Sequence, residues 1–362
     1  MPLVPLYGHT ALRTRLLDAL RRGTLPQSLL LHGDAGIGKQ RLAIWLATAL
    51  VCERSDAPCG ECRHCRMAGD LTHPDLLWIF PRPRLKDSDA SPDDIRNDLI
   101  DGTVERMEQH GLYPAPSGSD GIFVQTVRMM LRHAGRTPAL ARRKVVIVGE
   151  AERMVPQEGS DQAANAFLKL LEEPYPNTFL ILTTSTPGGL LPTVRSRVAA
   201  IRVAPLPRDD VRQFLGDTRV RAFLDAQNLP GDDDQRADMA AGAPGRLFAA
   251  STSSLHIDAA RRFIEVAASG DLEQIAKLAM AQGRAGARGV FADFLEAIET
   301  QLRARMKRDI ERADDAGARG AAMAVESLED AKQLAYNNVN PQLIVASLLA
   351  TLSDTFATAR RG

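Results

Sequence analysis

The sequence predicts an α/β fold, a parallel sheet with helices on both faces, followed by an all-helical C-terminal portion. Three observations carry this. First, a short apolar run ends in a glycine-rich loop and then a helical pattern, LLLHGDAGIGKQ at residues 29–40. Second, apolar runs of strand length alternate with helical periods as far as residue 203, the pattern of a doubly covered parallel sheet. Third, past Pro205 and Pro207 only helical periodicity remains.

The bulk properties bound the class. At 362 residues the chain has room for two or three domains. Hydrophobic content of 44% and charged content of 25% are those of an ordinary globular protein. A formal net charge of zero argues against a chain that grips nucleic acid through its own positive field. No apolar run reaches membrane-span length, and MPLVPLYGHT carries no signal-peptide pattern, so a cytoplasmic protein is expected.

Taken in order, residues 6–23 read as an amphipathic helix with Leu12, Leu16, Leu17 and Leu20 on one face and Gly23 as its stop. Ser28 to Leu31 is the first core strand. In the loop that follows, Gly33, Gly36 and Gly38 let backbone N–H groups turn toward phosphate oxygens, and Lys39 supplies a point charge for the β and γ phosphates. The next position of a working phosphate loop is a Ser or Thr that gives its hydroxyl to Mg²⁺. Here it is Gln40, so nucleotide (ATP or ADP) remains a candidate ligand while Mg²⁺ is not expected. A helix over residues 41–51 then delivers Cys52.

Cys52, Cys59, Cys62 and Cys65 form C-x6-C-x2-C-x2-C, and the sequence holds no other cysteine. Two residues between cysteines let two thiolates reach one tetrahedral ion from a tight turn, so the spacing predicts a closed, structural Zn²⁺ site. Residues 75–80, DLLWIF, are the second strand. Residues 81–121 are rich in Pro, Gly, Ser and charge, apart from a short polar helix over 95–110, and are expected to be a surface insertion. A helical period resumes at residues 123–132. The third strand, KVVIVGE at 144–150, sits where a phosphate-loop protein carries a second Mg²⁺ contact. Gly149 stands in place of the expected Asp, and Glu150 is retained.

Residues 162–173 form a helix with Ala163, Phe167, Leu170 and Leu171 on one face, ended by Pro174. Strands follow at 178–184 and 198–203, with Arg195 and Arg197 between them. Beyond these, residues 209–215, 235–241 and 246–250 read as a small helical unit, with Arg246 after the Gly242-Ala243-Pro244-Gly245 break. Asn340-Pro341 is a helix start, and Leu343, Val345, Leu348, Leu349 and Leu352 form a stripe suited to bundle core or to subunit packing.

Together, GDAGIGKQ, the four cysteines, VVIVGEAERM, AANAFLKLLEEP, the LTT strand, LPTVRSRV and YNNVNPQL resemble the delta-prime family of bacterial DNA polymerase III clamp-loader subunits, an AAA+ family. The resemblance implies an AAA+ module at 1–204, a helical lid at 205–252 and a C-terminal collar at 253–362. It implies a five-membered ring with delta and gamma/tau subunits that places a sliding clamp on primed DNA. Within the polymerase holoenzyme this member is a stator whose own ATPase is weak or absent. Arg197 matches the family's Ser-Arg-Cys arginine, here Ser196-Arg197-Val198, and would act in trans on a neighbour's γ-phosphate. Arg246 matches the lid arginine that senses bound nucleotide. Two other readings stand beside this one. Lys39 and Glu150 suit an active ATPase motor subunit, and the cysteines alone suit a zinc-dependent nucleic-acid binder.

Overall fold

A computed structural model describes residues 3–85, 91–114, 116, 120–154, 161–227, 229, 231–249, 253–269, 271, 274, 288–336 and 340–359. The chain divides into two compact units, Met1–Pro116 with Asp120–Ala249, and Ser117–Ser119 with Ala250–Gly362. Among the described residues no helix is long and apolar enough to cross a membrane.

The first unit is built on five strands: β1 (Ser28–His32), β2 (Leu76–Ile79), β3 (Lys144–Val148), β4 (Thr178–Thr184) and β5 (Ala199–Arg202). They lie in the order β2-β3-β4-β1-β5 and every pairing is parallel. Period-two alternation divides each central strand between two cores. Leu29, Leu31, Val145, Ile147 and Ile181 face one side, with Leu42, Leu46 and Leu50. Leu30, Val146, Val148, Leu180 and Leu182 face the other, with Met130, Phe167 and Leu170. The runs are apolar throughout because both faces are covered.

The helices of this unit are α1 (Thr10–Arg21), α2 (Lys39–Val51), α3 (Arg63–Gly69), α4 (Pro92–Glu108), α5 (Val124–Ala134), α6 (Asp161–Glu172), α7 (Pro192–Arg195), α8 (Arg208–Leu215), α9 (Thr218–Ala226), α10 (Asp233–Ala240) and α11 (Arg246–Ala249). Sequence periodicity missed α3 and α9. Helix α3 is too short to show a period, and the Leu215–Gly216 end of α8 hides the start of α9.

Residues 81–121 are only partly a surface insertion. Helix α4 opens on a capping box between Ser91 and Asp94 and buries Ile95, Leu99 and Arg106, and Leu112 and Ile122 join the core beyond it. Proline and glycine density marked the turns of this segment but concealed the apolar face between them. Residues 86–90 and 337–339, the end of the expected lid at 250–252 and the side chain of Ala163 lie outside what is described.

In the second unit, helices Ser253–Ser269, Arg288–Glu311, Asp315–Tyr336 and Pro341–Ala359 enclose a core that includes Phe263, Phe294, Ile298, Leu302, Leu328, Leu348, Leu349 and Leu352. The last helix starts as expected, with the Gln342 backbone N–H donating to Asn340 Oδ1 at 2.9 Å. Leu343 does not belong to the stripe. It is 64% exposed, and Ile344 is buried in its stead.

Candidate functional site

Parallel pairing brings the C-terminal ends of β1, β3 and β4 side by side, and β1 is where the strand order reverses. A crevice at such an edge is where open α/β sheets place ligands. Three sequence-marked features converge there: the glycine loop after β1, Gly149-Glu150 after β3, and the hydroxyls that end β4.

The loop has a phosphate cradle's backbone. Gly33, Gly36 and Gly38 all hold positive φ, at 151°, 82° and 91°. His9 Nε2 bonds the Ile37 carbonyl at 2.8 Å and pins the loop to the start of α1. Lys39 does not project into open space. Its Nζ donates to the Gly33 carbonyl at 2.8 Å, the Asp34 carbonyl at 2.7 Å and Ser185 Oγ at 3.0 Å. Burial pulls its pKa down to about 8, against the pull of Glu152, Glu150 and Asp34. The lysine thus satisfies the loop's own carbonyls, the bonds that a phosphate would compete with.

Gln40, the residue after Lys39, is held by protein partners on both sides of its amide. Trp78 Nε1 donates to Gln40 Oε1 at 3.0 Å, and Gln40 Nε2 donates to Glu150 Oε1 at 3.3 Å. Glu150 also pairs with Arg153 at 3.3 Å. Burial, reinforced by Glu152, pushes its carboxyl up to about 7 despite Arg153. A Cβ built on Gly149 would lie 2.3 Å from Gln40 Oε1. The two departures from the phosphate-loop pattern are therefore one event in space. An acid at 149 and this placement of Gln40 exclude each other. Gly149→Asp is expected to push the flexible Gln40 amide off Trp78 and Glu150 at a cost of about 1 kcal/mol, and to cost less in a chain where Gln40→Thr has already removed that amide. Denaturant unfolding of the single and double variants reads this, and equal losses in both would refute the coupling.

Residues after β5 close over the loop. The Gly245 N–H donates to the Gly36 carbonyl at 2.9 Å. A Cβ on Gly36 would meet the Arg246 nitrogen at 2.9 Å, and one on Gly245 would meet Gly36 Cα at 2.7 Å. Two glycines are needed for this approach of backbone to backbone. Arg246 lies beside the glycine loop, with Asp34 at 3.8 Å. Both side chains are substantially exposed, so that contact adds little stability.

Arg197 lies just past α7. Its Nε donates to Glu172 Oε1 at 2.5 Å and its Nη1 to the Thr193 carbonyl at 2.8 Å. Arg195 is exposed.

The four cysteines meet between the end of α2 and α3, all Sγ atoms within 4.8 Å of one another. Cys52 to Cys59 is 3.7 Å, and Cys52 to Cys62 and Cys59 to Cys65 are each 3.9 Å. A tetrahedron with Zn–S of about 2.3 Å has edges of about 3.8 Å, so the set fits a metal ion such as zinc. The Cys62 N–H reaches Cys59 Sγ at 3.3 Å and the Cys65 N–H reaches Cys62 Sγ at 3.4 Å, bonds that favour thiolate there. Burial, with the sulfurs of Cys62 and Cys52 close by, pushes the Cys65 thiol up. His64 is not in the sulfur set. It bonds Glu53 and His73, each at 2.8 Å.

Sequence reading missed Arg106. Its guanidinium lies 3.5 Å from the Phe80 ring centre, 4.0 Å from Tyr113 and 4.7 Å from Trp78. The insertion thereby braces the tryptophan that holds Gln40. No local signal announces such a cage, because its members are spread over residues 78–113.

The family described as DNA polymerase III, delta subunit, matches residues 8–207. The DNA polymerase III subunit delta' of Pseudomonas aeruginosa is 36% identical over 180 residues, 49% of this chain and 43% of that protein. The subunit delta' of Haemophilus influenzae is 28% identical over 196 residues, 54% and 46% of the two chains. The subunit tau/gamma of Haemophilus influenzae is 24% identical over 242 residues, 66% and 28%. A solved structure of a gamma subunit-related protein from Thermotoga maritima aligns at TM-score 0.42 and 17% identity over 94% of this chain and 99% of that one. The matches to the delta' proteins span somewhat under half of those relatives' length.

Proposed function

Because this chain belongs to the DNA polymerase III, delta subunit family, we propose that it is a delta-prime stator of a bacterial clamp loader. It joins delta and gamma/tau subunits in a five-membered ring, helps place the sliding clamp on primed DNA, and does not hydrolyse ATP itself. The observation that supports this best is the Trp78–Gln40–Glu150 chain of hydrogen bonds, made by the residue that stands where a working phosphate loop has its Mg²⁺-binding Ser or Thr. Mg²⁺ neutralises charge that develops on a transferred phosphoryl group, so a pocket closed to it is a poor motor.

The chain's contribution to catalysis is then Arg197, offered across a subunit boundary to a neighbour's γ-phosphate. A guanidinium is suited to this because it stays charged and matches phosphate oxygens two at a time. Cys52, Cys59, Cys62 and Cys65 would hold a structural Zn²⁺ with no ligand position left for chemistry. The second reading, an active motor subunit, draws on Lys39 and on the tau/gamma likeness. ATP turnover by the isolated chain in Mg²⁺ separates the two. No turnover above background is expected, whereas turnover at about 1 s⁻¹ or faster, within the usual enzyme range, would establish the motor.

A further inference from the structure

We propose that Glu172 is a latch that parks Arg197 until a neighbouring subunit presents its triphosphate. The inference rests on the trans role of Arg197 proposed above and concerns how that role is regulated. Every nitrogen of the Arg197 guanidinium is engaged within its own chain. Nε donates to Glu172 Oε1 at 2.5 Å, and Nη2 pairs with the same oxygen. Nη1 donates to the Thr193 carbonyl at 2.8 Å and to Ser196 Oγ at 3.3 Å. The Nε–Nη2 edge, one of those that can grip two phosphate oxygens at once, is the edge Glu172 holds.

Glu172 is not stabilised in its charged form by its own helix. It is the last residue of α6, where the helix dipole disfavours a negative charge. Phe167, Leu170 and Leu171 anchor that end of α6 in the core, so the carboxylate has a defined position beside α7. The pairing is also weak by construction. The side chains keep 29% and 47% of their exposure, and ion pairs of that kind contribute little net stability. A single screened carboxylate can hold the arginine in one place yet yield it to the several negative charges of a triphosphate. Docking of the arginine is then a competition, and the neighbour's rate is scaled by the fraction of time Glu172 has released it.

The test uses the assembled loader carrying wild-type chain, Glu172→Gln, Arg197→Ala or both, with ATP hydrolysis measured without clamp or DNA. Glu172→Gln is expected to raise kcat about two- to fivefold with KM for ATP unmoved. That gain should vanish in the double variant, and the unfolding transition of the isolated chain should be unchanged because the pair is exposed. Arg197→Ala slow but Glu172→Gln no faster than wild type overturns the latch and leaves the trans arginine standing. A gain that persists without Arg197 also overturns the latch. An Arg197→Ala complex as fast as wild type removes the trans arginine, and the latch with it.

Discussion

Chelation of metal from the purified chain is expected to unfold the segment from the end of α2 through α3 and to lower the stability of the first unit by several kcal/mol. The four sulfurs are spaced like the corners of a tetrahedron sized for zinc, with three separations of 3.7–3.9 Å, and closed zinc sites in small modules contribute on the order of 10 kcal/mol. The loss here is smaller than that because α3 has other anchors. Ala68 and His64 are buried, and His64 is tied to His73 and Glu53. Without the cation, the four sulfurs lose the shared ligand that ties the turn to the end of α2. Cys59→Ser removes one ligand and should reproduce most of the effect. One zinc per chain by elemental analysis, with loss of amide protection confined to residues near 52–69, is the expected result. A metal-free chain that melts identically with and without chelator would refute it.

Arg197→Ala is expected to cut ATP hydrolysis at the neighbouring site by about 10³-fold or more in the reconstituted loader, with clamp loading falling in step. Arginines supplied in trans to a transferred phosphoryl group are worth roughly 10³–10⁵ in rate. The substitution removes an exposed ion pair and exposed hydrogen bonds to the Thr193 carbonyl and Ser196 Oγ, so the folded chain should lose little stability and should still assemble. Arg197→Lys should recover only part of the rate, since an ammonium keeps the charge and loses the two-point grip. Retention of the ring with loss of rate separates a chemical role from a structural one. A mutant ring that hydrolyses ATP at the wild-type rate would end the proposal.

These two sites differed in how openly the chain displayed them. The cysteine spacing needs only a tight turn, so C-x6-C-x2-C-x2-C could be read directly, and the sulfurs did converge. The glycines and Lys39 were also local, and the loop took the positive-φ path they require. The five strands were legible for a comparable reason. A strand buried on both faces is apolar along most of its length, and β3 and β4 each carry an unbroken apolar run, VVIV and FLIL.

Other features depended on residues distant in sequence. Gln40 and Gly149 each looked like a separate loss, and only their approach revealed that one side chain fills the space the other vacates. Arg106 read as one charge in a polar helix until Phe80, Tyr113 and Trp78 closed around it. Leu343 and Ile344 exchanged places because a stripe so rich in apolar residues does not specify which flank faces the core.

Chain order and spacing settled the strands, the longer helices, the glycine loop and the cysteine set, since each is made by neighbours whose backbone conformation and periodicity are short-range properties. The state of the cradle was settled by packing. Lys39 bonded to Ser185, Gln40 seated between Trp78 and Glu150, and Gly245 laid on Gly36 join residues distant in sequence, and such contacts exist only once folding has brought those segments together.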